Sequence, residues 1–116
     1  MNFEKKLNFV AFFFILIIFG VDRYTKIFVK KNFTENVIYV NDFLNFDLIW
    51  NTGIGFGLMN TNSEIFYNSV SLLIGLIIIW LIFLGFKSDN YDKIIFSIII
   101  GGALGNFYDR IFFKAV

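Results

Sequence analysis

Gly101-Gly-Ala-Leu-Gly-Asn-Phe-Tyr-Asp-Arg110 closes an apolar run with small residues, an amide and two opposite charges. Continued as a helix, the run sets Gly102, Asn106 and Arg110 at successive i,i+4 positions, with Asp109 three residues beyond Asn106. Gly101 and Gly105 form a small-xxx-small pair on the neighbouring strip, a spacing that lets a second backbone come close in lipid. The stretch reads either as a packing face closed by an interfacial charge pair or as the polar end of a functional helix. The rest of the chain has to decide.

Composition sets the solvent. Of 116 residues 58% are hydrophobic and 22% aromatic, Pro, Cys and His are absent, and the formal net charge is +1. An ordinary soluble domain is roughly half apolar. With a mean hydropathy of +0.72 and apolar runs approaching bilayer length, this is an integral membrane protein. Zinc sites, disulfides, thiol nucleophiles and imidazole bases are excluded for want of Cys and His. Catalysis would rest on carboxylates, hydroxyls, Lys, Arg or amides. The balanced charge gives no argument for a nucleic-acid partner.

Working back from 101–110, the third span runs from Ile94 to Tyr108, and Lys87 to Lys93 is the short solvent loop before it. Ile65 to Phe86 is the clearest span, uncharged throughout. The first runs from Leu7 to Val29, behind Lys5 and Lys6. No small-x-small cleavage site follows it, so a retained span fits better than a signal peptide. Asp22 falls roughly 22 Å along it at about 1.5 Å per residue, with Thr25 and Lys26 on the same face. An ionisable residue at that depth is costly unless paired, and is either functional or an interfacial Asp with Arg23 and Lys26 snorkelling around it.

Residues 30–64 change character. Val37 to Val40 is β-branched and aromatic; from Leu44 the pattern alternates, with Leu44, Phe46, Leu48 and Trp50 on one side of a strand predicted to pair with it. Asn51-Thr-Gly-Ile-Gly-Phe-Gly57 lacks the Gly-Lys-Ser/Thr ending of a nucleotide loop, and reads as a turn or a close backbone approach. No linker divides residues 1–116 into separate domains. The short connections put the ends of the first and third spans and the β-rich segment on one side of the bilayer, where Asp22, Asn51, Asn106, Asp109 and Arg110 can meet. Charge counting orients the chain poorly. Once Arg23, Lys26 and Arg110 are set aside as tied to carboxylates, Lys5, Lys6, Lys87 and Lys93 face Lys30, Lys31 and Lys114.

Asp22-x-x-Thr25-Lys26, Asn51-x-Gly53-x-x-Phe56-Gly57 and Gly101-Gly-Ala-Leu-Gly-Asn106-x-x-Asp109-Arg110, in this order and at these spacings, resemble the lipoprotein signal peptidase of bacteria (signal peptidase II). The resemblance covers essentially the whole chain. It implies an inner-membrane aspartic endopeptidase that removes the signal peptide from diacylglyceryl-modified prolipoproteins just before the lipid-bearing cysteine. It also implies four spans with cytoplasmic termini and a small β cradle on the outer side. Substrate signal peptide and membrane lipid are the implied partners, and no metal or cofactor is called for.

The resemblance also redistributes roles. The residues alone favour Asp22 and Asp109 as a carboxylate pair sharing a proton to activate water. The family instead carries its catalytic aspartates downstream of the Asp-Arg motif, in a Val-Asp-Phe-like motif and an Asn-x-x-Asp motif that opens the fourth span. Both are expected beyond Val116. Asn51, Asn106 and Arg110 are then implied to line the substrate groove, while Asp22, Thr25, Lys26, Gly53, Phe56, Gly57 and Asp109 support the site. The expected architecture is three transmembrane helices with a β cradle, an incomplete chain lacking the catalytic dyad and proteolytically inactive, its Gly101 and Gly105 strip free for oligomerisation. A non-enzymatic membrane protein that binds lipidated peptides, or an assembly partner, is the alternative.

Overall fold

The computed structural model describes residues 2–34, 37–52 and 63–116. Helix α1 spans Phe3–Phe33, α2 Glu64–Lys87 and α3 Asn90–Phe113; between α1 and α2 lie two short strands, β1 (Ile38–Asn41) and β2 (Leu44–Phe46). All three helices are long and apolar enough to cross a membrane. α1 and α2 start where the sequence supplies a capping side chain. The Asn2 side chain caps α1 by accepting from the Lys5 N–H at 2.9 Å, and Lys30 and Lys31 occupy its last turn, facing the negative end of its dipole. Ser63 caps α2 through the Phe66 N–H. At the end of α3 the chain turns into the left-handed region at Lys114 (φ 56°).

α1 extends beyond the predicted 7–29, and α3 beyond 94–108, because polar residues at both ends still satisfy helical geometry. At about 1.5 Å per residue the 31-residue α1 is roughly 46 Å long, against a hydrocarbon core of about 30 Å. It therefore carries Asp22, Arg23 and Lys26 past or into the interface.

α3 lies between the other two, packed on α1 and α2. Contacts of Lys93 with Asn8 and of Asp109 with Lys26 show that α1 and α3 run parallel; α2 runs antiparallel, its Gly85 by Phe96 and its Tyr67 by Arg110. The buried stripe of α3 is Lys93, Ser97, Ile100, Gly101, Gly105, Asp109 and Arg110. Apart from Ile100, the stripe is made of small and polar residues, the arrangement lipid favours, because tails solvate Ile and Phe as well as protein does.

The two core glycines are there for α1. A Cβ on Gly101 would stand 2.8 Å from Ile18 Cβ and 3.0 Å from the Ile15 carbonyl oxygen, and one on Gly105 would stand 2.6 Å from Asp22 Cγ. The strip expected to serve oligomerisation is thus occupied within the chain. Gly102, placed by the sequence on the polar face with Asn106, has nothing within 4 Å of its would-be Cβ.

β1 and β2 form an antiparallel hairpin with Ile38 opposite Phe46 and Tyr39 opposite Asn45, irregular between Tyr39 and Asn41. The Tyr39 hydroxyl donates to Asp42, and the Phe43 N–H to Asn41 Oδ1, which closes the turn. The predicted strand from Leu44 to Asn51 is shorter than its alternation implied. Among the described residues, pairing stops at Phe46 opposite Ile38, and Asp47 to Trp50 lie outside the sheet. Asn51 exchanges both backbone hydrogen bonds with Val116, at 2.7 and 2.8 Å.

Candidate functional site: an ion-pair ring beside a cavity

Parallel packing of α1 on α3 brings four charges together one turn above the glycine contact. Arg23 Nη2 is 3.0 Å from Asp22 Oδ2 and 2.6 Å from Asp109 Oδ1. Lys26 Nζ is 3.0 Å from Asp22 Oδ1 and 2.6 Å from Asp109 Oδ2. Each carboxylate is bridged by both cations, so the four groups close a neutral ring. Asp109 is the most enclosed, its side chain 5% exposed. Lys26 also donates to Asn106 Oδ1 at 2.8 Å, and the Arg23 guanidinium lies 4.6 Å from the Tyr108 ring centroid. Ions at this depth persist only when paired, and here every charge has two opposite neighbours.

The pairing decides what the carboxylates can do. Asp22 and Asp109 are bridged by Arg23 and Lys26, so that the two carboxylates take part in the junction of α1 with α3.

Beside the ring opens a cavity of about 570 Å³, walled by α1, the segment Asp47–Trp50 and the end of α3. Arg23, Lys26 and Asp109 form its polar floor; Ile27, Val29, Leu48, Ile49, Trp50 and Phe113 make much of the remainder apolar. Lys30 Nζ sits 4.5 Å from the Phe113 ring centroid and 5.6 Å from that of Trp50. A chamber with an apolar wall and a few convergent polar groups suits an amphipathic ligand.

Among the residues singled out in the sequence, Asp22, Lys26, Asn106 and Asp109 are brought together by the ring. Thr25 lines the cavity, although its hydroxyl donates back into α1, to the carbonyls of Val21 (2.9 Å) and Asp22 (3.1 Å). Arg110 lies elsewhere, 5% exposed and turned toward α2, its guanidinium 5.6 Å from the Tyr67 ring centroid while the Tyr67 hydroxyl donates to its carbonyl at 3.1 Å. Asn51 is tied by its backbone to Val116 at the cavity edge. Gly53, Phe56 and Gly57 lie outside the described residues. Arg23, set aside in the sequence as a cation tied to a carboxylate, in fact bridges two of them. The available signal was its position next to Asp22 and one turn after Phe19, whose ring meets Tyr108 of α3.

These features define the class: a multi-pass membrane protein in which two helices are joined at one end by a partly buried ionic ring with a cavity of about 570 Å³ beside it. The profile of the family described as Signal peptidase (SPase) II matches residues 14–116. A lipoprotein signal peptidase of Pelagibacter ubique (strain HTCC1062) is 47% identical over 119 residues, covering 97% of this chain and 72% of that protein. Those of Francisella tularensis subsp. novicida (strain U112) and Clostridium tetani (strain Massachusetts / E88) are 32% and 31% identical, covering 87% and 88% of this chain and 66% and 67% of theirs. No solved structure matches the chain. The chain belongs to the signal peptidase II family.

Proposed function

We propose that residues 1–116 form the substrate-holding scaffold of an aspartic-type membrane endopeptidase that removes signal peptides from diacylglyceryl-modified prolipoproteins. The observation that carries this reading is the cavity of about 570 Å³ beside the ionic ring, with apolar walls for lipid and a charged floor for peptide. Family membership supports the reaction; the cavity supports the substrate. Asn106 at the ring and Asn51 at the cavity edge offer amides to an extended peptide backbone. Arg110, held against Tyr67, positions the end of α3 from which Tyr108 and Asp109 face the cavity.

In this reading Asp22, Lys26 and Asp109 support the site and do not activate water, since each carboxylate is already neutralised by two cations. Water activation in this reading falls to other carboxylates than those of the ring. The site faces the outer side of a bacterial inner membrane, with the N-terminus cytoplasmic. The neutralised carboxylates equally favour a second reading, a membrane protein that binds lipidated peptides without cleaving them.

Binding and cleavage are separable. The chain in mild detergent is titrated with a fluorescent diacylglyceryl-modified peptide, and the same peptide is followed for hydrolysis. Saturable binding with no cleavage is expected; cleavage by residues 1–116 would overturn the assignment of Asp22 and Asp109 to support, and no binding would remove the cavity from the argument. Grafting a fourth helix with the two family aspartates after Val116 then divides the two readings, since only a protease scaffold gains activity.

A further inference from the structure

The opposite end of the bundle carries a second polar feature that the peptidase reading does not use. Lys93, in the first turns of α3, is only 8% exposed. Its ammonium donates to Asn8 Oδ1 at 2.7 Å and to the Phe86 carbonyl at 3.3 Å, both neutral acceptors. Among the described residues no carboxylate pairs with it within 4.0 Å. A buried ammonium facing only dipoles is an incomplete arrangement in a membrane protein, where charges are paired or mark a binding site.

Two cavities meet at this group. One, of about 420 Å³, lies at the helix ends and is lined by Lys87, Lys93 and Asn90 together with Phe3 and Leu7. The other, of about 70 Å³, runs from Lys93 into the apolar cleft of Ala11, Ile15, Ile82 and Ile100. Asn8, Phe86 and Lys93 belong to both. The N-terminus of α3 opens on the polar cavity, and Asp89 stands at its N-cap position without making a side-chain cap. The helix dipole adds a positive end to the two lysines.

We propose that this end of the bundle binds one anionic phospholipid, its headgroup phosphate held by Lys93, Lys87 and the start of α3, and the beginning of an acyl chain lying in the apolar cleft. Glu4 and Asp89 also line the polar cavity. Both are exposed, so water and salt screen them, whereas the charge on Lys93 is enclosed and acts at short range. The continuity of polar cavity and apolar cleft selects a lipid over free phosphate, which would leave the cleft unused. Basic pockets between helix ends are where membrane proteins hold acidic headgroups.

Native mass spectrometry of the delipidated chain in detergent tests this with dioleoylphosphatidylglycerol, dioleoylphosphatidylcholine and inorganic phosphate as probes. One retained phosphatidylglycerol per chain is expected, with phosphatidylcholine retained about fivefold less or worse, and with Lys93→Gln lowering phosphatidylglycerol retention by about fivefold or more. Should Lys93→Gln lose its helical circular dichroism, Lys87→Gln decides, because its side chain is exposed at the loop; about a threefold loss is expected there. Equal retention of the two lipids, or no change in the decisive variant, overturns the proposal. Displacement of phosphatidylglycerol by millimolar inorganic phosphate also overturns it, by assigning a free-anion site.

Discussion

Arg23 on α1 reaches Asp109 on α3 at 2.6 Å, and that contact, together with Lys26 to Asp109 at the same distance, ties the two parallel helices at their polar ends. Removing Asp109 leaves two cations sharing one carboxylate in a poorly hydrated place. Breaking a buried pair costs about 3–5 kcal/mol, mostly through the charge left behind. Asp109→Asn should therefore unfold in detergent at a clearly lower SDS fraction than wild type. The double variant Arg23→Met/Asp109→Asn, which restores neutrality, should recover part of the loss, and a double-mutant cycle measures the coupling. Additive losses would dissolve the ring as an energetic unit.

The glycines of α3 give a sharper spatial test. Gly105→Ala places a methyl group against the Asp22 carboxylate, and Gly101→Ala places one against the α1 backbone at Ile15. Overpacking of this kind costs about 1–3 kcal/mol, and backbone yields less readily than a side chain. Gly102→Ala meets open space and should gain up to about 1 kcal/mol of helix propensity. The expected order of stability is Gly102→Ala at or above wild type, then Gly105→Ala, then Gly101→Ala, measured by the same SDS titration. An inverted order would remove the α1 to α3 contact from this face.

At the α2 contact, the Tyr67 hydroxyl donates to the Arg110 carbonyl at 3.1 Å in a buried setting. Tyr67→Phe keeps the ring over which the Arg110 guanidinium lies and removes only the hydrogen bond, a loss of about 0.5–1.5 kcal/mol. Tyr67→Leu removes the ring as well, and should cost more by the cation–π share of about 0.5–2 kcal/mol. Identical losses in the two variants would show that the ring contributes nothing beyond its bulk.

In the hairpin, the hydrogen bond donated by the Tyr39 hydroxyl to Asp42 raises the tyrosine pKa above its ordinary 10.0. A folded-state pKa above the unfolded one means that the bond's contribution is fully present below the unfolded value and is lost as pH rises through the folded one. Ultraviolet titration should show phenols ionising later than an unperturbed tyrosine, and Tyr39→Phe should lower the amplitude of that late phase by one tyrosine. An unchanged late amplitude in the variant would take Tyr39 out of it.

Spans and the polar convergence were legible because membrane helices announce themselves by length and because ionisable residues are rare within them. Asp22, Lys26, Asn106 and Asp109 stood out against Ile and Phe, and the ring unites them. Which side of α3 faces which neighbour was not legible. Helical spacing groups Gly102, Asn106 and Arg110, whereas the buried stripe runs through Gly101, Gly105 and Asp109, because the rotation of α3 is set by where α1 can come close. Arg110 accordingly turns to Tyr67, a partner 43 residues away that no local pattern names. The shortfall of β2 has a similar origin. Alternation from Leu44 to Trp50 fits a strand with two unlike sides, but the described pairing runs only from Leu44 to Phe46, which stands opposite Ile38, the first residue of β1.

Trp50 offers a test of the cavity that does not disturb the bundle. Its ring forms part of the wall, 6.2 Å from the Phe113 ring centroid, yet the residue is 44% exposed and lies outside every helix. A wall residue of this kind contributes to a ligand more than to the fold, since much of its apolar surface is still open to be buried. Covering even a further 80 Å² or so of that surface is worth about 2 kcal/mol, which is roughly thirtyfold in affinity. Trp50→Ala should therefore weaken binding of a diacylglyceryl-modified peptide by about tenfold or more, while the SDS unfolding midpoint moves little. Trp50→Phe, which keeps an aromatic face beside Lys30, should retain most of the affinity. Loss of stability in step with affinity would make Trp50 a structural residue. Unchanged affinity in Trp50→Ala would place the lipidated peptide outside this cavity.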